Sequence, residues 1–485
     1  MAWHTYQRGF MKHSVKSGQP DPAAQSPSYL ILQGLASPFF KTLAQKLATD
    51  GASVHRVNFC GGDWWFGGGN HKNITSSRFN GTSDTLYNHY IGLIETHAVS
   101  DIIIFGDCRP LHTAARSVAA DKGLTIWVFE EGYTRPGYIT CEEGGCNDLS
   151  ILPRTADAIN ARARLVATTT PSAAPSNYGN PMPRRVRMDF AFHFWNILLR
   201  PLYFRYRSHR PEKVSTELLG WAARLAQKWR YRRTNAALIR HYETGACGNV
   251  SGNKNLVKHS MDNAEERKSG SGSFFMVPLQ LNSDFQIRIH SDYENILDFI
   301  REVVASFARH APKSAKLMFK GHPLDNGLAD YRNYIAMAAI KHDIQDRVDF
   351  IDGGSLDLFL HHAAGLVLIN STVGYAALAK AKAMKVMGRA LYNMAGLTDQ
   401  RPLDKFWKKP DAPDPDLIAD FLAVIRADSQ ISGDFFTKTG IETAATTAAL
   451  RIQRGAQYIQ SEKPALHSKI TANASAPVLP QTIKA

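Results

Sequence analysis

Cysteine is scarce in this chain, and its five residues do not pair. Cys60, Cys108, Cys141, Cys146 and Cys247 form no Cys-x-x-Cys, and the spacing of Cys141 and Cys146 suits neither a zinc knuckle nor a redox dithiol. Reduced thiols in a cytoplasmic protein are the expectation. No uninterrupted apolar run reaches the ~18 residues of a membrane-spanning helix. Met1 to Gln25 is polar and lacks the apolar core of a secretory signal. An HExxH helix, a Cys/His cluster, the GxxxxGK spacing of a P-loop and a GxSxG elbow are all missing. The single Asp-x-Asp, Asp414-Pro415-Asp416, precedes a C-terminal helix and reads as a cap. No metal ion and no cofactor is expected.

What is present is positive charge. Lys and Arg number 57 against 43 Asp and Glu, a formal charge of +14. Such a balance favours an anionic partner: nucleic acid, an anionic lipid surface or an anionic substrate. No RNA-recognition or helix-turn-helix signature accompanies it, so nucleic acid is not expected. The 44% hydrophobic and 21% charged fractions are those of a soluble globular protein, and 485 residues make two or three domains.

Short apolar runs recur, and each ends in a polar cluster. Tyr29–Leu32 leads to Gln33, Ile102–Phe105 to Asp107-Cys108-Arg109, and Ile126–Phe129 to Glu130-Glu131. Phe274–Leu279 leads to Gln280 and Asp284, Leu317–Phe319 to Lys320-Gly321-His322-Pro323, and Leu366–Ile369 to Asn370-Ser371-Thr372. The runs read as buried parallel strands, and ligands bind at the carboxyl ends of such strands. Strands alternating with helical patterns predict an α/β chain of two Rossmann-like, doubly wound lobes facing across a cleft, the GT-B arrangement.

The expected layout is an N-terminal extension (1–27), a first Rossmann-like lobe (28–183) and a basic, aromatic helical insertion (184–247). A flexible linker (248–272), a second Rossmann-like lobe (273–400), C-terminal helices (401–462) and a disordered tail (463–485) follow. A loop is expected at the Gly/Trp-rich stretch Cys60–Gly69. The insertion interleaves arginines with Phe, Trp and Tyr. It suits either an amphipathic pair lying on an anionic membrane or helices whose aromatics pack on the first lobe.

Each cluster has a chemical and a purely structural reading. Lys320 and His322 suit a phosphate leaving group, or are a solvated lysine and a core histidine. Asn370-Ser371-Thr372 opens an expected helix from Gly374 to Met384, whose N-terminus binds anions or is simply capped. Glu130 and Glu131 offer a general acid or base, or pair with a cation such as Arg135. Arg109 could fork onto a carboxylate, or pair with Asp107. Asp284 suits attack on an anomeric carbon, or is a surface aspartate.

Together these blocks resemble the capsule polysaccharide biosynthesis proteins of the KpsS/LipB type. The blocks are Leu32-Gln33-Gly34, Gly106-Asp107-Cys108-Arg109-Pro110, Glu130-Glu131-Gly132-Tyr133 with Arg135-Pro136, Gln280 to Asp284, Lys320-Gly321-His322-Pro323, and Asn370-Ser371-Thr372-Val373-Gly374. The resemblance implies a retaining β-Kdo transferase, peripheral on the cytoplasmic face of the inner membrane. It would add the first Kdo from CMP-Kdo to a (lyso)phosphatidylglycerol acceptor, starting the linker of a capsule exported by an ABC transporter. Asp284 would be the nucleophile and Glu131, or else Glu130, the acid/base. Gln280, Lys320, His322, Asn370, Ser371 and Thr372 would hold the donor. Gln33, Asp107, Arg109 and Arg135 would meet the sugar carboxylate or the acceptor. Other capsule biosynthesis proteins are implied partners. A non-catalytic component of the assembly machinery and a transferase using another CMP-sugar are the alternatives.

Overall fold

The computed structural model describes residues 26–67, 71–167, 177–208, 214–245, 274–281 and 285–473. The expected linker 248–272 and most of the N-terminal extension lie outside them. Among the described residues twelve strands form two sheets. The first lobe contains β1 (Ser28–Ile31), β2 (Ser53–Asn58), β3 (Ile74–Arg78), β4 (Asp101–Phe105), β5 (Thr125–Glu131) and β6 (Tyr138–Glu143). The second contains β7 (Phe274–Pro278), β8 (Lys316–Lys320), β9 (Val348–Ile351), β10 (Gly365–Leu368) and β11 (Met384–Val386). The last strand, β12 (Gln430–Ser432), returns to the first sheet.

The first sheet runs β12-β6-β5-β4-β1-β2-β3, with β1 to β5 mutually parallel and β6 and β12 antiparallel at one edge. The second, β11-β10-β7-β8-β9, is wholly parallel. Helices cover both faces, which is why β1, β7 and β10 are apolar and buried along their length. The helix Ile296–His310 illustrates the local logic. Asn295 accepts from the backbone N–H groups of Leu297 and Asp298, capping the first turn. Ile296, Phe299, Ile300, Val303 and Phe307 then recur on one face and bury against the second sheet.

Several expectations need correction. Residues 401–462 hold the expected helices but also a strand. After the helix Pro415–Asp428 the chain crosses to pair Gln430–Ser432 with β6, and the helix Lys438–Asn473 packs on the helix Phe39–Thr49. Ala444, Ala445, Ala448 and Ile452 join Phe39, Leu43 and Leu47 in one core. That last helix also overruns residue 463, where order was expected to end.

The Gly/Trp-rich stretch is also not a loop: Gly61–Gly67 is helical. A Cβ on Gly61 would sit 2.1 Å from the Trp195 carbonyl, and one on Gly62 2.2 Å from the Phe192 ring. The glycines let this helix touch the helix Met182–Leu198, which begins before the expected boundary at 184.

Finally, the insertion divides between the lobes rather than packing on the first alone. Met182–Leu198 lies on the first. Val214–Arg230 and Arg232–Glu243 dock on the second, through Arg224 against Asp352 and Tyr242 against Asp349 and Phe274.

Candidate active site

The lobes meet at the carboxyl ends of β5, β8 and β10. Glu131, the last residue of β5, accepts from Arg185 Nη1 at 3.0 Å and from Arg135 Nη1 at 3.4 Å. Arg135 turns its Nη2 to the other lobe and donates to Thr372 Oγ1 at 2.8 Å. Beside this bridge the Tyr133 and Tyr375 rings stack, centroids 5.0 Å apart, so the crevice floor is an apolar contact shared by both lobes.

His322 follows β8 by two residues. Its Nδ1 accepts from the Leu324 backbone N–H at 3.1 Å, which leaves the proton on Nε2. Burial, and then the charges of Arg135, Lys320, Arg224 and Arg185, push its pKa down to about 4. The ring is therefore a neutral N–H donor among four cations. Burial also lowers the pKa of Lys320. Glu131 and Asp352 are the carboxylates paired with these arginines. With Asp325 beside Arg224 and Lys228 on Asp352, three carboxylates face five cations, a positive excess that an anionic ligand would neutralise.

Arg224 gives the turn its shape. It donates to the carbonyls of His322 and Pro323 at 3.0 Å each, and to that of Asp325, and it pairs with Asp352 at 2.9 Å. Gly327 (φ +74) makes room for it, because a Cβ there would lie 2.6 Å from the Arg224 Cβ. On the neighbouring strand ends Gln280 and Asn370 exchange two hydrogen bonds, of 2.9 and 3.2 Å. Ser371 is held locally: its hydroxyl accepts from the Val373 N–H at 3.3 Å and its carbonyl from the Tyr392 hydroxyl at 2.6 Å. The helix after it, Val373–Leu378, is six residues long, not the expected run to Met384. Ala381 in a left-handed turn (φ +49) ends that segment before β11. So short a helix has little dipole, and the positive charge at the crevice sits on side chains instead.

The remaining predicted residues separate. Asp107 is buried and accepts from the Cys146 N–H at 2.8 Å and the Cys108 thiol at 3.2 Å. Arg109 donates to the Gly34 carbonyl at 2.9 Å and lies over Phe105. Glu130 accepts from Asn147 Nδ2 at 3.2 Å. Gln33 is buried beneath Tyr206 and Asp63. Asp284 lies outside the described residues. Gln280 precedes it in the crevice and the helix Phe285–His290 follows it.

Sequence reasoning missed Arg185 and Arg224, which stand on the insertion far from the strand ends. It also missed His290, whose Nε2 lies 3.2 Å from Cys108 Sγ across the lobes. Asp107, Cys108 and His290 bring ligand atoms within 4.8 Å of one another and are, among the described residues, a group that could hold a metal ion. An open hollow of about 460 Å³ past β11 is lined by Ser291, Lys385 and Arg389, away from Glu131, Arg135, His322 and Thr372.

A sequence model of the family described as capsule polysaccharide biosynthesis protein matches residues 100–245 and 241–436. The capsule polysaccharide modification protein LipB of Neisseria meningitidis serogroup A is 31% identical over 432 residues, 88% of this chain and 96% of that protein. The capsule polysaccharide export protein KpsS of Escherichia coli is 31% identical over 413 residues, 84% and 96%. Among solved structures, a Thermosulfurimonas dismutans KpsC β-Kdo 2,7 transferase is similar over 88% of this chain and 98% of its own, with a TM-score of 0.40 and 13% identity. Anabaena HepE in complex with UDP and glucose is similar over 90% and 100%, with a TM-score of 0.27 and 11% identity.

Proposed function

The chain belongs to the capsule polysaccharide biosynthesis family, and from that premise we propose that it is a retaining glycosyltransferase that moves Kdo from CMP-Kdo to a (lyso)phosphatidylglycerol acceptor. The observation that carries the reading is the cation cluster around neutral His322, opposite Glu131 and bridged by Arg135 to Thr372. CMP-Kdo carries a phosphodiester and a sugar carboxylate, which are the charges such a crevice lacks.

The reaction proceeds by double displacement. Asp284 attacks C2 of Kdo as the bond from C2 to the phosphate oxygen breaks, and CMP leaves with both electrons. Lys320, Arg135, Arg185 and the Nε2–H of His322 meet the charge that develops on the phosphate and carboxylate. A glycerol hydroxyl of the acceptor then attacks C2 from the vacated face. Glu131 takes its proton, Asp284 is released, and the anomeric configuration is retained. Gln280, Asn370 and Ser371 hold the strand ends against which the nucleotide lies.

No described helix is long and apolar enough to cross a membrane. Val186, Phe190, Phe194 and Ile197 form one exposed face of the helix Met182–Leu198, with Arg187 and Arg200 exposed beside them. Trp221, Leu225 and Trp229 do the same on the helix Val214–Arg230. These stripes support peripheral docking on an anionic inner-membrane surface. CMP release from CMP-Kdo, CMP-sialate and a UDP-sugar, each with the lipid acceptor, tests the assignment. Turnover confined to CMP-Kdo is expected, and turnover only with a UDP-sugar would refute it.

A further inference from the structure

The turn after β4 and the end of the helix Phe285–His290 meet across the lobes. Cys108 Sγ lies 3.2 Å from Asp107 Oδ1 and 3.2 Å from His290 Nε2. Asp107 and His290 are each 1% exposed, while Cys108 is partly open to solvent. No spacing in the sequence signals this group, because Cys108 and His290 stand 182 residues apart.

The second polar atom of each buried residue is directed elsewhere. Asp107 Oδ2 accepts from the Cys146 backbone N–H at 2.8 Å, which turns Oδ1 toward the sulfur. His290 Nδ1 faces Asp148 Oδ2 at 3.6 Å and has no hydrogen-bond partner among the described residues. A carboxylate on that side favours the proton on Nδ1 and leaves the lone pair on Nε2, toward Cys108. Arg389 Nε donates to the same Asp148 oxygen at 3.0 Å and holds it in place. A carboxylate behind the ring is the usual outer support of a metal-bound imidazole. In this tautomer the single thiol hydrogen faces two acceptors, Oδ1 and Nε2, and serves one. The other is left buried without a donor, which is a standing cost. A cation accepts both lone pairs and the sulfur as well.

We propose that Asp107, Cys108 and His290 bind one zinc ion that joins the two lobes. Thiolate, imidazole and carboxylate together suit zinc rather than magnesium or calcium. Zinc–ligand bonds of about 2.0–2.3 Å set neighbouring tetrahedral ligands roughly 3.5 Å apart, so the sulfur needs to move only a few tenths of an ångström. Binding releases the thiol proton to solvent, and the two anionic ligands then cancel the charge of the ion. Three protein ligands leave a fourth position for water or an oxygen-bearing ligand. The ion ties the turn after β4 to the helix that follows Asp284 in the chain. None of this depends on the transferase reading.

Cobalt(II) titrated into the reduced, metal-free, full-length protein tests the site, because a cobalt–thiolate bond absorbs in the near ultraviolet and a surface histidine site does not. The wild type should show that band, saturating at one equivalent and bleached by zinc. Cys108→Ser should abolish it. His290→Gln should weaken binding at least about tenfold, the scale for disturbing even a residue that only orients a ligand. Circular dichroism establishes that each variant is folded. No band with the wild type, a result that needs no variant, would overturn the site. A band kept by Cys108→Ser would overturn the ligand set, and unaltered binding by His290→Gln would overturn the link between the lobes. Zinc binding at one equivalent by a protein that releases CMP from no CMP-sugar would support the site and remove the transferase reading instead.

Discussion

Arg135 Nη2 donates to Thr372 Oγ1 at 2.8 Å, while its Nη1 stays with Glu131 in its own lobe. One guanidinium thus spans the crevice and holds a carboxylate against the turn of the other lobe. The bridge is half-exposed, and exposed pairs contribute only about 0–1 kcal/mol to stability. Arg135→Gln should therefore melt close to the wild type while slowing sugar transfer roughly 100-fold, the scale for losing one charge-stabilising donor. Unchanged kcat/KM would show that the bridge is architectural.

Glu131 and Glu130 are neighbours with different partners: two arginines for the first, Asn147 for the second. Glu131→Gln should lower kcat by roughly 100- to 10,000-fold, the range for a lost general base. Glu130→Gln should act far less. The reverse order in steady-state kinetics would move the acid/base role to Glu130.

Gly61 and Gly62 permit the contact on which the helix Met182–Leu198, and hence Arg185, is placed. Gly62→Ala should destabilise the fold by about 1–3 kcal/mol through overpacking on Phe192. Urea unfolding measures it, and an unchanged midpoint would mean the two helices separate freely.

His322 and His55 both have pKa values lowered to about 4, with burial the main cause. Their folded-state values lie below the unfolded value of 6.5, so the unfolded chain binds protons first as pH falls. The stability that depends on neutral rings is fully present above 6.5 and is lost as pH drops from there toward about 4. His322→Gln should narrow the difference in melting temperature between neutral pH and about pH 5. An unaltered difference would contradict a buried neutral His322.

Phe190, Phe194 and Ile197 are exposed on one helical face. Replacing all three by Ser should sharply reduce sedimentation with vesicles containing phosphatidylglycerol, and raised salt should weaken binding of the wild type. Binding indifferent to anionic lipid would end the membrane assignment.

The strands that carry the crevice were legible because each is an apolar run cut off by polar residues, as at Phe129 to Glu131 and Phe319 to His322. Fully buried parallel strands force that pattern. Gln430–Ser432 was not legible: three residues at a sheet edge give no period, and their pairing with Tyr138–Thr140 is a tertiary choice. Arg185 and Arg224 read as members of a solvated basic stretch, because charge density along a helix does not reveal which guanidinium turns inward. Arg224 is buried, as is Gly220 one turn before it, whereas Trp221, Leu225 and Trp229 point outward. A polarity pattern read along that helix would assign the opposite sides. The Gly61–Gly67 helix was hidden by its glycines, which usually break helices and here allow two of them to touch.

The most direct measurement is mass spectrometry of a fluorescent phosphatidylglycerol analogue after incubation with CMP-Kdo and the purified protein, with Asp284→Asn alongside. A lipid heavier by one Kdo residue, formed by the wild type and absent with the folded variant, is the predicted result. Unmodified lipid and intact CMP-Kdo in the presence of folded wild-type protein would contradict the account.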